Sequence, residues 1–342
     1  AIKWSGGIVA AIAASSAPGS RHNGGITMPL HPQVQQLVDE MNALEAESVW
    51  DRPISEVRAE FDELANELAA PGPELLRVEN REIPGPHGPI PLRIYWPEAS
   101  DPAKPLPVFI NFHGSGFVVL GLDNYDHVCR ALCQGAECIV VGVDYRKAPE
   151  NKFPKPTDDS WAATCWVAEN CSEWGGDPAR IAVGGDSAGG GIAAVVTQRA
   201  KAEGGPPLVF QLLVYPVTDT REDTESYREF ADGYLLTADL MHWFFDCYFN
   251  SEAEKSDLAA APLRAPDLSG LPPALVMTAS HDPLRDDGAG YAQKLSAAGV
   301  PTEYLNYEGF IHDFWVATAR FDIAAEAQAM ACAALKRAFG TA

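Results

Sequence analysis

Gly185-Asp186-Ser187-Ala188-Gly189 is the stretch that decides the fold of this chain. Before it, Ile181-Ala182-Val183-Gly184 reads as a short buried strand. After it, Gly190-Gly191-Ile192-Ala193-Ala194-Val195-Val196 reads as a helix that opens on small side chains. A serine on such a strand–turn–helix bend has its hydroxyl lifted off the sheet edge, and the next backbone N–H, on Ala188, points at the same place. The bend is tight enough to demand glycine on both sides. In a chain with 29 glycines the pattern alone says little. It has company, however: His113-Gly114-Ser115-Gly116 upstream, then Asp282 and His312 downstream. The order serine, acid, histidine suits a nucleophile, an orienting carboxylate and a base.

Working outward, the segments alternate. Residues 108–112, 138–143, 209–214, 274–278 and 302–307 are apolar runs of strand length, and 125–133, 157–170 and 285–298 have helical character. A closing helix is expected over 314–339. Near-continuous apolar strands separated by helices predict an α/β fold: a mostly parallel central sheet covered by helices on both faces. Ligands in such sheets bind beyond the carboxyl ends of the strands. His113, Ser187 and Asp282 fall at or just past those ends, and His312 lies in the loop after the last strand. A β-meander, 76–83 and 92–96, precedes this alternation. Two helices come earlier still. Val34, Leu37, Val38, Met41 and Leu44 recur at helical spacing, as do Val57, Phe61, Leu64 and Leu68.

The expected organisation is therefore N-terminal cap helices over 28–75, a catalytic domain over 76–215 and 274–342, and a cap insertion over 216–273. The insertion is too long for a plain loop and carries the aromatic run Trp243, Phe244, Phe245, Tyr248, Phe249. Those aromatics are packing for a cap helix and candidates for the wall of an acyl pocket. Residues 1–27 contain an apolar stretch, 8–14, behind Lys3. The positive region is thin and the apolar core short, so this piece reads as an upstream extension rather than a secretion signal.

Composition narrows the partners. A net charge of −22 opposes binding to phosphate backbones and to anionic membrane surfaces, and no apolar stretch is long enough to span a bilayer. Seven cysteines, an odd number with no C-x-x-C, read as reduced thiols and favour a cytoplasmic location. Cys129 and Cys133 share a helix face without His or acidic partners at matched spacing. No metal or cofactor is implied.

The chemistry of the constellation is acyl transfer. A serine hydroxyl needs a base to take its proton as attack occurs. His312 is the candidate base, with Asp282 holding its tautomer. Backbone N–H groups of the 113–116 loop and Ala188 can serve a tetrahedral oxyanion. These motifs, with Tyr145-Arg146-Lys147-Ala148-Pro149-Glu150 and Asp282-Pro283-Leu284-Arg285-Asp286, resemble those of the bacterial hormone-sensitive-lipase-like (family IV) carboxylesterases, from about Leu76 to the C-terminus. The resemblance implies an α/β-hydrolase fold with a helical cap. It implies Ser187 as nucleophile, Asp282 as acid and His312 as base. Ser115, Gly116 and Ala188 match the oxyanion positions, and Gly114 supports that loop. It further implies a small-molecule ester of short to medium acyl length as substrate, and a homodimer. Ser115 stands where the family has glycine; its Cβ is expected to restrict the backbone, and either narrow the acyl side or add a hydrogen bond.

Plainer roles fit the remaining residues. Asp186 is expected to bond nearby backbone at the bend and His113 to hold its loop. His281 precedes the acid and is expected to be a loop residue or to support the site from behind, and Asp286 and Asp287 to cap or solvate the following helix. His22, His31, His87, His127 and His242 carry no assigned chemistry, and neither does Lys147. An amidase or lactonase could use the same triad. A small-molecule receptor on this scaffold would typically lack the histidine.

Overall fold

The computed structural model describes residues 29–43, 48–98 and 104–342; the expectation for residues 1–27 lies outside them. Helices α1 (Pro32–Asn42) and α2 (Ile54–Leu68) precede an eight-stranded sheet. Its strands are β1 (Arg77–Ile83), β2 (Ile90–Trp96), β3 (Leu106–Phe112), β4 (Ile139–Val143), β5 (Gly176–Asp186), β6 (Leu208–Val214), β7 (Ala274–His281) and β8 (Thr302–Ile311). They lie side by side in the order β1-β2-β4-β3-β5-β6-β7-β8. From β4 through β8 all neighbours run parallel, while β1 and β2 pair antiparallel and β2 meets β4 antiparallel. Central strands such as β4 and β7 are buried along their whole length, as expected where helices cover both faces. Edge strand β1 buries only Ile83 fully.

Helices α3 (Asp126–Ala136), α4 (Lys155–Asn170), α5 (Ala188–Glu203), α8 (Arg285–Ala297) and α9 (Asp322–Phe339) complete the α/β layers, and α6 (Glu225–Glu229) and α7 (Ala238–Tyr248) lie between β6 and β7. Helix α5 opens on Ala188-Gly189-Gly190-Gly191 because it presses onto the end of β3. A Cβ on Gly189 would overlap the Phe112 carbonyl oxygen. Among the described residues no helix is long and apolar enough to cross a membrane, and all seven cysteines are free thiols.

Two expectations are corrected. The closing helix begins at Asp322, not at Phe314. Residues 313–321 form turns that are tied to the end of α2, with Ala319 N–H donating to Leu68 O (2.9 Å) and Ala70 N–H to Thr318 Oγ1 (2.8 Å). The aromatic residues Phe314, Trp315 and Phe321 are buried there without a helix. Asp286 and Asp287 are not solvating groups either. Asp286 accepts from Ser226 N–H (2.8 Å) and so fastens α6 to α8. Asp287 falls on the same helix face as Tyr291 and Leu295 and is buried with them. Burial pushes its pKa well above the ordinary carboxylate value.

Arg58 of α2 fastens the N-terminal helices to the sheet domain. Its guanidinium donates to Val118 O (2.9 Å), to Ala148 O (2.8 Å) and to both oxygens of Glu150 (2.9 and 2.7 Å). Arg58→Met leaves both carbonyls without this donor and should cost about 1.5–3 kcal/mol, read as a fall in the urea midpoint at unchanged slope. An unchanged midpoint would mean that α2 is held by its apolar face alone.

Candidate active site

Strand β5 ends at Asp186, and Ser187 turns the chain into α5 with φ 55° and ψ −122°. That left-handed φ is costly for any residue with a Cβ. Three backbone bonds hold it. Ser187 N–H donates to Val214 O (2.9 Å) at the end of β6, and Val217 and Gly191 N–H donate to Ser187 O (3.0 and 3.1 Å). The Ser187 hydroxyl thereby stands at the carboxyl edge of the sheet.

Asp282 and His312 arrive from the neighbouring strand pair. In the β7–β8 ladder His281 is opposite Ile311, so the next residue of each strand, Asp282 and His312, emerges side by side. His312 Nδ1 lies 2.7 Å from Asp282 Oδ2, and His312 Nε2 lies 3.0 Å from Ser187 Oγ. The second oxygen of Asp282 accepts from Leu284 N–H (2.8 Å), which fixes the carboxylate plane. All three side chains are buried. For His312, burial disfavours the charged ring, but the carboxylates of Asp282 and Asp313 and the hydrogen bond to Asp282 outweigh it, so its pKa lies above the ordinary 6.5.

The 113–116 loop is held from below. Asp186 Oδ1 accepts from Gly114 N–H (3.0 Å) and Oδ2 from the Tyr125 hydroxyl (2.7 Å). Burial raises the Asp186 pKa to about 7, against the Tyr125 hydrogen bond that lowers it. The Gly114 N–H is thus committed to Asp186. His113 stacks on Tyr145 (4.5 Å between ring centroids) and its Nδ1 lies 3.0 Å from Gly114 O. Burial lowers its pKa.

Of the two alternatives for Ser115 the structure has the added hydrogen bond, while the expected backbone restriction is absent. Tyr145 OH donates to His113 O (2.5 Å), and the Ser115 hydroxyl, 2.7 Å away, donates in turn to the Tyr145 oxygen. Ser115 Oγ also accepts from Phe117 N–H (2.9 Å). Its side chain is used inside the loop. The left-handed backbone falls on Gly116 (φ 51°) and Phe117 (φ 65°) instead, so a Cβ at 115 meets no conformational penalty. Gly116 carries the steric demand, because a Cβ there would run into the Phe244 ring of α7.

Above Ser187 lies a pocket walled by apolar side chains. Leu64 and Leu68 of α2 and Leu240, Met241 and Phe244 of α7 wall it, and Gly114, Ser115, Gly116, His312 and Asp313 border it at the bottom. Ala188 is the first residue of α5, where a helix N–H has no partner within the helix. His281 is buried beside Phe230 and Tyr234 and touches Ser280 Oγ (2.9 Å). Sequence reasoning missed Tyr125, Tyr145 and Asp313. Of these, Tyr145 carried a signal as the first residue of the Tyr145–Glu150 motif, and Asp313 by its place next to His312; Tyr125 carried none. Among the described residues no group of His, Cys, Asp or Glu could hold a metal ion.

A family model described as the alpha/beta hydrolase fold matches residues 109–338. The chain is 49% identical over 275 residues to the carboxylesterase NlhH of Mycobacterium tuberculosis, covering 78% of this chain and 85% of that protein. It is 45% identical over 265 residues to the esterase LipI of the same organism, covering 77% and 82%. Among solved structures, an alpha/beta hydrolase enzyme from the metagenome of Lake Arreo superposes with a TM-score of 0.88 at 40% identity, covering 91% of this chain and 99% of that one. The hyperthermophilic esterase of Pyrobaculum calidifontis gives 0.84 at 38% identity, covering 92% and 100%.

Gly116→Ala should displace the loop beneath Phe244 and cut kcat by about 10²–10³, the typical loss of one oxyanion donor. Steady-state kinetics with circular dichroism as the fold control reads it. A rate within twofold of the parent enzyme would remove this loop from the chemistry.

Proposed function

The chain belongs to the α/β-hydrolase fold family as a hormone-sensitive-lipase-like carboxylesterase, and on that premise we propose that it cleaves short- to medium-chain acyl esters through an acyl-enzyme on Ser187. The observation that carries the reading is the continuous chain from Asp282 Oδ2 to His312 (2.7 Å) to Ser187 Oγ (3.0 Å). A receptor has no use for such a chain.

Ser187 Oγ attacks the ester carbonyl carbon as His312 Nε2 takes the hydroxyl proton. Asp282 holds the ring with Nδ1–H directed at its carboxylate and stabilises the imidazolium. The N–H groups of Ser115, Gly116 and Ala188 receive the oxyanion, while Gly114, tethered to Asp186, braces the loop. His312 then gives its proton to the leaving alcohol oxygen and the C–O bond breaks. Water repeats the sequence on the acyl-enzyme, with His312 as base, and releases the acid and free Ser187.

We assign α1 and α2, within 28–75, and residues 216–273 to the cap, because α2 and α7 supply the apolar roof of the pocket. A roof of Leu, Met and Phe favours acyl chains over polar ones.

Hydrolysis of p-nitrophenyl esters from acetate to palmitate should peak at the short end and vanish in Ser187→Ala. Activity that persists in the variant would remove Ser187 from the role. The base must be neutral to act. Since the folded-state pKa of His312 is raised, kcat/KM should rise with pH through a midpoint above 6.5, about tenfold per unit on the acid side. Asp282→Asn should move that midpoint down. A limb centred below 6.5 in the parent enzyme would argue for another base.

A further inference from the structure

The roof of the pocket is apolar, but its floor carries an acid that the mechanism above does not use. Asp313 follows His312 directly, at φ 64°, and borders the pocket. Its Oδ1 lies 3.8 Å from His312 Nε2, and 34% of its side chain stays accessible. The other two carboxylates near the imidazole are engaged. Asp282 serves Nδ1 and Leu284 N–H, and Asp186 serves Gly114 N–H and the Tyr125 hydroxyl. Among the described residues the polar contact of the Asp313 carboxylate is His312 itself. No Lys or Arg borders the pocket, and among the described residues the positive charge that acts on Asp313 is that of His312.

Position then decides what Asp313 meets. To be protonated, the leaving alcohol oxygen must come within hydrogen-bond reach of His312 Nε2, about 3 Å. A carboxylate oxygen 3.8 Å from that same nitrogen therefore stands beside the first atoms of the alcohol portion. We infer that Asp313 is a specificity-determining residue that selects esters whose alcohol carries a cationic amine or another strong hydrogen-bond donor two or three atoms from the ester oxygen. It also disfavours alcohols that carry a carboxylate. A charge-assisted hydrogen bond inside an apolar pocket, where water competes poorly, gives this preference its strength. The inference rests on the reading of Ser187 and His312 as nucleophile and base.

Two near-isosteric butyrates test it: 2-(dimethylamino)ethyl butyrate, protonated at pH 7, and 3-methylbutyl butyrate. The anionic 2-carboxyethyl butyrate is the third substrate. For each ester, kcat/KM is divided by its rate with hydroxide, which removes intrinsic reactivity. The amine-to-alkyl ratio should be at least about tenfold higher in the parent enzyme than in Asp313→Asn, and the anionic ester should gain in the variant. Any change in His312 basicity acts on all three esters and cancels in the ratios. Asn tolerates the left-handed backbone at this position, and Asp313→Gly is the second variant if Asn does not fold. Equal ratios in parent and variant would overturn the assignment. If the alkyl ester survives the parent enzyme uncleaved, or is cleaved by Ser187→Ala, the fault lies in the triad reading. A cleaved alkyl ester with charge-blind ratios leaves the triad standing and removes Asp313.

Discussion

The bend at Ser187 is the constraint on which the rest of the molecule depends. A non-glycine residue at φ 55° costs on the order of 1–3 kcal/mol, and it persists only where neighbours leave it no alternative. Strand β6 supplies the Val214 carbonyl, and the 216–217 segment supplies the Val217 N–H. Gly189 lets α5 approach the end of β3 so closely that the helix cannot slide. The strain is stored where the hydroxyl has to stand clear of the sheet. It is offset by the packing of the buried second half of β5, Ile181–Asp186, and the buried first half of α5.

Around that point the polar groups form a layered scaffold. Asp186, the last residue of β5, does not face the reaction centre. It joins β5 to the 113–116 loop through Gly114 and to the start of α3 through Tyr125. Tyr145 does the same from the far side, through His113 and Ser115. The loop beneath the substrate is thus pinned by one carboxylate and two phenols, all buried. Such a buried, interlinked set of hydrogen bonds resists rearrangement. The proposed oxyanion donors of this loop, which must not reorganise during reaction, need that rigidity.

The electrostatics converge on one imidazole. Asp282 bonds it directly, Asp313 stands near its other nitrogen, and Asp186 and the Tyr125 and Tyr215 hydroxyls lie in the same buried region. Burial alone would keep His312 neutral, and the carboxylates favour its protonated form. In the proposed mechanism this imidazole is therefore well suited to hold a proton while a tetrahedral oxyanion exists beside it. Carboxylates that share a site raise one another, which is why burial and like charge leave Asp186 and Asp313 above the ordinary carboxylate value.

Some of this was legible in the chain. Backbone demands are local, so Gly185 and Gly189 around Ser187 marked the bend. Apolar runs of strand length marked the parallel sheet, and chain order marked Asp282 and His312. Helix boundaries inside the regular alternation came within a few residues for the same reason. What was not legible depends on contacts between distant segments. Asp282 and His312 meet because β7 and β8 pair in one register, and Ser187, 125 residues before His312, reaches it because β5 lies in the same sheet with only β6 between it and β7. The last helix starts at Asp322 because residues 318–319 bond the end of α2. Ser115 spends its hydroxyl on Tyr145. Asp287 lies buried where its charge suggested solvent. Asp313 borders the pocket because the chain turns left-handed directly after His312. Periodicity and motif order encode what each segment wants of its own backbone and solvent. Only tertiary packing decides which side chain of one segment reaches which atom of another.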